Sequence, residues 1–325
     1  MIGVIGTGIM GRNHVRVASS LNVLAAVADV DSKSVGEISK AFNVKGYTNV
    51  EDMLKDENVE AVVVATPTEY HHGIAMKALE HGKHVLVEKP FTSTVEQGEE
   101  LVKYAEKKGL HLATGQVERF NPVVKFIKDI IKTGHLGKVI SISTRRVSSF
   151  PGRIRDVGVI FDLGIHDIDV IRYLAGSEVE RIYAAADASN DIPFEDHANI
   201  SLKFSNKILG EIETNWLTPM KVRKGAITCS EGYIEFNYIT QEVELSRSSF
   251  MNLDVMNLYN IPQKYNTEKI ALMREEPLKN EIADFVDAIR NNRKPFVTGK
   301  DGLENLRIAV NAVESYRKAK LILSE

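Results

Sequence analysis

The stretch DLGIHDID, residues 162–169, places three aspartates and one histidine in an otherwise apolar segment. If the segment is helical, Asp162 and His166 are four residues apart and share one face. An imidazole with an ordinary pKa of about 6.5 can accept a proton near neutral pH, and a carboxylate one turn earlier could orient it. The pattern alone leaves a reaction site, a metal site and a local ion pair open. Asp167 and Asp169 are expected to bond neighbouring backbone or to pair with an arginine.

A glycine-rich turn follows the first apolar run. It reads VIGTGIMG, and its glycines are Gly6, Gly8 and Gly11. Between a predicted strand and a predicted helix, such glycines permit a tight turn, close approach of a pyrophosphate and helix-on-strand packing. Asp29 ends the second predicted strand, where a carboxylate would hydrogen-bond the adenosine ribose and repel a 2′-phosphate. The spacing therefore favours NAD over NADP, although Arg12 and Lys33 could offset part of a phosphate's charge.

Two further loops follow predicted strands, and open parallel sheets bind ligands at the carboxyl ends of their strands. In ATPTEYHH, Thr66 and Pro67 would shape a turn beside the dinucleotide, and His71 would open the next helix near it. A capping or surface role for His71 and His72 stays open, and adjacent helical residues are unconvincing as a metal pair. In VEKP, Lys89 follows a strand. The expected cofactor-binding residues are Gly6, Gly8, Ile9, Met10, Gly11, Asp29, Thr66, Pro67, His71, Glu88, Lys89 and Gln116.

These motifs need a scaffold that brings strand ends together. Through the first 120 residues, short apolar runs alternate with helix-period segments, which predicts βαβ units and a parallel sheet. The predicted strands cover 2–5, 23–28, 61–65, 84–87 and 111–114, and the predicted helices cover 9–20, 32–42, 70–81 and 94–108. After one more amphipathic helix the pattern changes to β-rich runs with short turns, followed by two closing helices near 278–291 and 302–320.

The predicted fold class is therefore α/β, with two domains. A Rossmann parallel-sheet domain that binds the dinucleotide is expected at residues 1–120. An α+β domain with an open, mainly antiparallel sheet is expected at residues 121–325.

The composition narrows the function classes. The chain of 325 residues has 43% hydrophobic and 26% charged residues, which is ordinary for a globular protein with two cores. A formal net charge of -3 gives no bulk attraction to nucleic acid or to an anionic membrane, so neither is an expected partner. The single cysteine, Cys229, excludes an internal disulfide and fits a reducing cytoplasm. The N-terminal apolar run is interrupted too early for a signal segment or a membrane span, so we expect a cytoplasmic protein.

Five stretches together resemble the Gfo/Idh/MocA family of nicotinamide-dependent sugar and cyclitol dehydrogenases. They are GTGIMG (6–11), ATPTEYHH (65–72), GKHVLVEKP (82–90), RFNP (119–122) and DLGIHDID (162–169). The resemblance covers nearly the whole chain. It implies a Rossmann domain and a second domain whose open sheet carries the substrate pocket and mediates homodimers or homotetramers. It also implies that Lys89, Asp162 and His166 are catalytic, because they match the family's catalytic positions one for one.

Oxidation of a secondary alcohol needs a hydride acceptor, a base for the hydroxyl proton and a positive charge near the developing alkoxide. Lys89 and His166 can supply the last two, and which of them takes the proton first stays open. Asp162 would orient the imidazole or bind a substrate hydroxyl. A metal at Asp162, His166 and Asp169 is disfavoured, because this hydride transfer needs none and no second histidine stands at helical spacing. No metal is expected.

The residues around this helix are more basic than the whole chain, and arginine suits phosphate oxygens. The basic residues are Lys138, Arg145, Arg146, Arg153, Arg155, Lys221, Arg223 and Lys224. For any single one of them, a solvated surface charge is the competing interpretation. Trp216 could line the substrate pocket or support the sheet. The expected substrate-binding residues are Lys89, Arg119, Asn121, Arg145, Arg153, Arg155, Asp162, His166, Trp216 and Arg223.

Three longer stretches resemble the UDP-N-acetylglucosamine 3-dehydrogenases of the family. They are GQVERFNPVV, RRVSSFPGRIRDVGVIFDLGIHDID and NWLTPMKVRKGAITCSEGYIEFNYITQE. The resemblance implies oxidation of the C3 hydroxyl of a nucleotide-linked sugar in amino-sugar biosynthesis. Another sugar or cyclitol substrate stays open, as does an NAD-dependent glycoside hydrolase that works through a transient 3-keto intermediate. A ligand-sensing regulator is disfavoured, because sensing needs none of Lys89, Asp162 and His166.

Overall fold

The first sheet is built from apolar runs that are buried on both faces. The computed structural model describes residues 1–152, 157–189, 192–250 and 263–318. The strands of this sheet are β1 (Ile2–Ile5), β2 (Leu24–Ala28), β3 (Lys45–Tyr47), β4 (Ala61–Val64), β5 (His84–Glu88) and β6 (Leu112–Gly115). They are parallel and lie in the order β3-β2-β1-β4-β5-β6. β1 and β4 read IGVI and AVVV with every position buried, which is typical of a parallel sheet covered by helices.

Helices alternate with these strands, and capping side chains mark where several of them begin. They are α1 (Ile9–Ser20), α2 (Ser32–Phe42), α3 (Val50–Leu54), α4 (Thr68–Glu80) and α5 (Val95–Lys108). The Asp31 carboxylate accepts the Lys33 N–H at the start of α2. The Thr94 hydroxyl accepts the Gln97 N–H at the start of α5.

The two faces of the first sheet carry separate hydrophobic clusters. On one face α4 and α5 pack against alternate strand residues such as Val62 and Val64. On the other face α1 packs against the intervening residues, such as Val4 and Val63. Because the strand order reverses between β1 and β4, the loops after these two strands flank a crevice at the carboxyl edge.

The second sheet is long, open and mainly antiparallel. Its unit contains α6 (Pro122–Thr133), β7 (Val139–Ser149), a π-helical turn (Ile160–Gly164), α7 (Ile165–Ala175), β8 (Val179–Asp187), β9 (His197–Phe204), β10 (Leu209–Asn215), β11 (Leu217–Cys229), β12 (Gly232–Asn237), β13 (Glu242–Phe250) and β14 (Gln263–Ala271). In the described ranges eight strands lie in the order β14-β13-β12-β11-β7-β10-β9-β8, and β7 with β10 forms the parallel pair.

Helices cover one face of this second sheet. Alternate residues of the central strands, such as Ile142, Ile212 and Ile227, are buried in a cluster with apolar residues of α6 and α7. Most of the residues between them are exposed or half-buried, as in β7 and β10. This alternation is typical of an antiparallel sheet with one covered face.

The two closing helices, α8 (Pro277–Arg290) and α9 (Gly299–Lys318), do not simply extend the second unit. The first compact unit comprises Met1–Phe120 and Glu275–Arg307, and the second comprises Asn121–Arg274 and Ile308–Glu325. The sequence had assigned everything after residue 120 to the second domain. α8 belongs to the first unit because Leu278, Ile282 and Phe285 join the cluster that contains Leu86 and Ala113, on the same sheet face as α1 and beside it.

The predicted fold class is confirmed, and the differences are local. β3 and α3 were not predicted, because three partly exposed residues and a five-residue helix carry no periodic signal. The Asp162 segment is a π-helical turn that continues into α7 rather than a regular α-helix throughout. No helix in the described part of the chain is long and apolar enough to cross a membrane.

Candidate active site

The glycine turn after β1 has the shape that a dinucleotide requires. Gly6 has φ +94°, and a Cβ there would lie 2.6 Å from the Ala65 carbonyl oxygen. A Cβ on Gly11 would lie 1.8 Å from the Gly6 carbonyl oxygen, so α1 packs directly on the turn. A Cβ on Gly8 would meet nothing within 4 Å. Gly8 therefore leaves open space at the mouth of the helix.

The N-terminus of α1 is free to receive an anion. Its N-cap is Gly8, which offers no side-chain cap, and the first turn contains no acidic residue. Ile9 is exposed and Met10 is half-buried beside it. Among the described residues, no side chain caps the first N–H groups of α1, and the space beside Gly8 is open. Such a helix N-terminus fits a pyrophosphate. Gly6, Gly8, Ile9, Met10 and Gly11 are the residues that would hold it.

Asp29 follows β2 as an ionised carboxylate. It accepts hydrogen bonds from the Thr7 N–H at 2.6 Å, the Thr7 hydroxyl at 2.8 Å and the Asp31 N–H at 3.0 Å. Burial would raise the pKa of Asp29, but these hydrogen bonds outweigh it and the net pKa is lowered. Arg12 donates to the Thr7 carbonyl and the Ser34 hydroxyl, although its side chain is exposed. The site thus keeps a negative charge where NADP would place its 2′-phosphate.

The loop after β4 contains Thr66, which is half-buried, and Pro67, which is exposed and caps α4. His71 is buried, with Nδ1 2.9 Å from the Pro90 carbonyl oxygen and Nε2 2.8 Å from the Thr66 carbonyl oxygen. Burial lowers the pKa of His71, and the two carbonyls offset only part of that effect. Both ring nitrogens are used inside the protein, so His71 shapes the cofactor loops instead of opening toward a ligand.

Lys89 follows β5 and interrupts a buried run. From Val85 to Thr92 every residue is buried except Lys89, which is half-buried. Gln116, after β6, is 1% exposed, and its amide nitrogen and oxygen have no hydrogen-bond partner among the described residues. A buried amide without a partner needs a polar ligand or water. Gln116 therefore fits a cofactor group at this edge of the sheet.

Asp162 and His166 show the same pattern in the second unit. From Asp162 to Ile171 every residue is buried except these two, which are half-buried. Asp162 lies in the π-helical turn and His166 in the first turn of α7. Because the remaining side chains of the segment are directed into the protein, these two are its accessible polar groups. A π-helical turn at such a position is common at functional sites.

A buried ion pair fixes the helix that carries His166. The Arg146 Nε donates to Asp167 Oδ2 at 2.6 Å, and both side chains are at most 1% exposed. The Tyr238 hydroxyl donates to Asp167 Oδ1 at 3.4 Å, and its ring lies 5.0 Å from the Arg146 guanidinium. The expected pairing of Asp167 with an arginine is therefore present. Arg146 consequently does not belong to a basic rim.

Two other predicted substrate residues are used structurally. Arg119 is 4% exposed and forms an ion pair with Asp301 at 3.1 Å. The Asn121 Oδ1 accepts the Val123 N–H and caps α6, while its Nδ2 donates to the Tyr238 carbonyl. Each of these contacts joins residues of one unit and has a structural role.

The predicted basic rim is divided between the two faces of the second sheet. In the register of β11 and β7, Arg223 lies opposite Arg146. Residues opposite each other share a sheet face, so Arg223 lies on the covered face with α7. Arg145, one residue earlier on β7, lies on the open face, where it forms an ion pair with Glu213 at 3.0 Å. The placement of Arg145 beside Asp162 and His166 was therefore wrong. Arg153 and Arg155 lie outside the described residues.

Trp216 lies in the core between β10 and β11. It is 2% exposed, and its ring makes an edge contact with Phe150 at a centroid distance of 5.7 Å. The Asp196 carbonyl accepts its backbone N–H. Of the two interpretations left open, support of the sheet agrees with this burial.

Glu195 holds the start of the π-helical turn and was not among the predicted site residues. Its Oε1 accepts the Ile160 N–H at 3.2 Å, and the Tyr316 hydroxyl donates to its Oε2 at 3.2 Å. A Cβ at Gly158 would lie 2.1 Å from Glu195 Oε1, so a side chain there would displace the Glu195 carboxylate. The contact joins residues 35 positions apart, and no local motif could have announced it.

Two family models match the chain. An oxidoreductase family with an NAD-binding Rossmann fold matches residues 1–116. The GFO/IDH/MocA C-terminal domain matches residues 124–235.

Similar proteins extend over nearly the full length. UDP-N-acetylglucosamine 3-dehydrogenase of Acidithiobacillus ferrooxidans is 27% identical over 317 residues, 97% of each chain. Its solved structure is similar with a TM-score of 0.87 over 98% of each chain. Myo-inositol 2-dehydrogenase of Thermotoga maritima is 26% identical over 98% of each chain. A levoglucosan dehydrogenase solved with NADH and levoglucosan is 22% identical with a TM-score of 0.84, covering 98% of this chain and 97% of that one, and at this identity it shows the fold alone.

Proposed function

Because this chain belongs to the Gfo/Idh/MocA family of NAD-dependent oxidoreductases acting on CH–OH groups, we propose that it oxidises C3 of a nucleotide-linked sugar. The specific substrate we propose is UDP-N-acetylglucosamine, converted to its 3-keto derivative for amino-sugar synthesis. The predictions of family, enzyme class and NAD cofactor are confirmed. The observation that carries the reaction is that Lys89 in one unit, and Asp162 with His166 in the other, are the half-buried polar groups of otherwise buried runs.

The proposed mechanism gives each of these residues one role. His166 accepts the hydroxyl proton, and the Lys89 ammonium stabilises the developing alkoxide. Asp162 orients the imidazole or binds a neighbouring hydroxyl. NAD, when bound, would supply the acceptor for the hydrogen at C3. Asp29 and the α1 N-terminus would hold its ribose and pyrophosphate, and the Gln116 amide would hold a polar group of the cofactor.

The substrate rests on the similarity to the Acidithiobacillus ferrooxidans enzyme, which spans both chains and includes both units. A diphosphate also explains a half-buried arginine on the covered face, Arg223. The second candidate is a free cyclitol, which the equally complete similarity to a myo-inositol 2-dehydrogenase favours.

A fluorescence assay of NADH formation decides between them. The purified protein is given NAD and, in separate reactions, UDP-N-acetylglucosamine, UDP-glucose and myo-inositol, with a second carbonyl acceptor added in case the cofactor is retained. We expect turnover with the UDP-amino sugar. Activity with myo-inositol alone would transfer the assignment to the cyclitol class, and cleavage of the sugar without net NADH would indicate a glycoside hydrolase.

Variants test the named residues. Lys89→Ala and His166→Ala should each lower kcat by about 10²- to 10⁴-fold while NAD affinity stays unchanged. Lys77→Ala and His72→Ala are matched controls, because Lys77 forms an exposed ion pair with Glu51 and the half-buried His72 contacts the surface residue Glu100. Near-normal turnover in either Lys89→Ala or His166→Ala would refute the mechanism.

We also propose that the open face of the second sheet joins two copies of the chain. Exposed apolar side chains on it are accompanied by charges of both signs, so the surface is complementary to itself in a two-fold arrangement. The apolar residues are Tyr183, Leu209 and Tyr233, and the charged residues are Arg145, Lys224, Glu211 and Glu235.

Sedimentation velocity should find a dimer or tetramer. Leu209→Glu combined with Tyr233→Glu should dissociate it, while Met273→Glu, which changes a still more exposed residue outside the patch, should not. A monomeric wild type would refute the proposal.

A further inference from the structure

Both residues next to Lys89 are held by buried histidines. Glu88, the last residue of β5, and Pro90 each contact an imidazole from a different helix. The helices are α1 and α4, which pack on opposite faces of the first sheet. The residues on both sides of Lys89 are therefore held by side chains of other elements.

On one side, His14 of α1 orients the Glu88 carboxylate. His14 Nε2 lies 2.6 Å from Glu88 Oε1, and the imidazole is 0% exposed. The other oxygen, Oε2, accepts the backbone N–H of Lys89 at 3.1 Å. One carboxylate thus connects His14 to the main chain of Lys89.

The ionisation of Glu88 makes this connection strong. Burial would raise the pKa of Glu88, but the hydrogen bond and charge of His14, and then those of Lys89, outweigh it and lower the pKa. The buried Glu281 of α8 lies close to both residues. One ring nitrogen of His14 and one carboxylate oxygen each of Glu88 and Glu281 lie within 4.8 Å of one another. A charged acceptor in a low-dielectric site forms stronger hydrogen bonds than a neutral one.

On the other side, His71 of α4 connects Pro90 to the loop after β4. Its Nδ1 faces the Pro90 carbonyl and its Nε2 faces the Thr66 carbonyl. Since a neutral imidazole carries one N–H, it donates to one of the two carbonyls at a time. The contact spans 19 residues and joins the loops after β4 and β5.

We propose that His14 and His71 are positioning residues that fix the Lys89 backbone from both sides and so aim its ammonium group. This inference rests on the proposed role of Lys89 in catalysis. A displacement of about 1 Å at a reacting group can reduce turnover by about 100-fold, so the fixed backbone has a direct chemical consequence.

The test uses pairs of substitutions that separate shape from hydrogen bonding. Gln places an amide nitrogen where His14 has Nε2, and Asn places one where His71 has Nδ1, whereas Leu at either position fills the space without a donor. We expect His14→Leu and His71→Leu to lower kcat by roughly 10- to 100-fold at unchanged NAD affinity, with His14→Gln and His71→Asn restoring most of it. Thermal unfolding is measured for all four variants. If His14→Leu does not fold, Glu88→Gln replaces it and should also lower kcat, because a neutral acceptor holds the Lys89 N–H less strongly. If His71→Leu does not fold, His71→Gln replaces it, because its amide lies at the Nε2 position and loses the contact with Pro90.

Hydrogen exchange at the Lys89 amide gives a second readout that does not depend on activity. His14→Leu should accelerate that exchange, since the N–H loses its oriented acceptor, and His14→Gln should not. Unchanged exchange, equal damage by Leu and Gln, or a stoichiometric metal bound by His14, Glu88 and Glu281 in the purified protein would overturn the proposal. If Lys89→Ala keeps its turnover, the proposed function fails, but the exchange result still decides the positioning.

Discussion

The two sheets of this protein present their functional residues in different ways. In the first, the candidate residues follow the carboxyl ends of five parallel strands, so strand register alone collects them at one edge. In the second, Asp162 and His166 lie on a helical segment against one sheet face, held by Arg146 and Glu195 from distant parts of the chain. The candidate residues of the first unit therefore depend on local sequence, and those of the second unit on buried long-range pairs.

The largest effect should come from the buried pair of the second unit. Asp167→Ala leaves the Arg146 charge buried without its carboxylate, which should lower the free energy of unfolding by about 3–5 kcal/mol. Urea unfolding followed by the fluorescence of Trp216, the single tryptophan, measures it. The control is Arg146→Met combined with Asp167→Leu, which removes both charges and should be nearly neutral in stability. A loss below 1 kcal/mol in Asp167→Ala would contradict the asserted role of the pair.

At the edge of the first sheet, Asp29→Ala should change cofactor choice more than stability. Removing the charged acceptor of the ribose should lower kcat/KM for NAD by about 10- to 100-fold, with a much smaller loss for NADP. Parallel kinetics with the two cofactors measure the ratio. Asp31→Ala is the control, because that carboxylate caps α2 and its loss should cost about 1 kcal/mol of stability without changing the ratio. An unaltered ratio in Asp29→Ala would remove this residue from the cofactor site.

His71 should make the first unit sensitive to mild acid. An unfolded histidine has a pKa of about 6.5, and burial keeps the pKa of His71 lower, so the unfolded state binds more protons. Stability should therefore be full above pH about 6.5 and fall as the pH drops toward the folded pKa. Unfolding free energies at pH 7.5 and 5.5 test this, a window in which carboxylates with lowered pKa change little.

His84 and His111 also have pKa values lowered by burial and add a decrease of the same sign. The contribution of His71 is therefore the difference between the wild type and His71→Asn, which should have the shallower dependence on pH. His72→Asn serves as the control. The same dependence in His71→Asn as in the wild type would show that His71 does not contribute.

The smallest effect is expected on the open face. Arg145→Ala removes an exposed ion pair and should change stability by less than about 1 kcal/mol, with no change in KM for the sugar. Arg223→Ala, on the covered face, should raise that KM. If Arg145→Ala raised KM as much as Arg223→Ala, Arg145 would contact the sugar, and its assignment to the face away from the substrate would be wrong.

Much of the first unit could be predicted because its signals are local. Apolar runs such as AVVV define buried strands, Gly6 and Gly11 are required by close backbone contacts, and Asp29 ends a strand. The place of α8 could not be predicted in this way. Its amphipathic pattern shows that it buries one face, but the pattern does not identify the sheet that covers it.

The second unit was predicted as a fold but only partly as a site. Asp162 and His166 were proposed from their spacing. The partners of Arg119, Asn121 and Arg146 could not be proposed in this way, because they are distant in sequence or on another strand. The error at Arg145 had a usable signal. Adjacent strand residues point to opposite faces, so Arg145 and Arg146 could not both have lined one pocket.

The return of α8 to the first unit has a consequence during synthesis. A ribosome that has released residues 1–120 has made all six strands of the parallel sheet, but Leu86 and Ala113 still lack the side chains of Leu278, Ile282 and Phe285 that complete their cluster. The nascent nucleotide-binding half must then wait, partly uncovered, while more than 150 further residues emerge. Its maturation is thereby tied to complete translation, and a truncated chain would expose an apolar surface to chaperones and proteases.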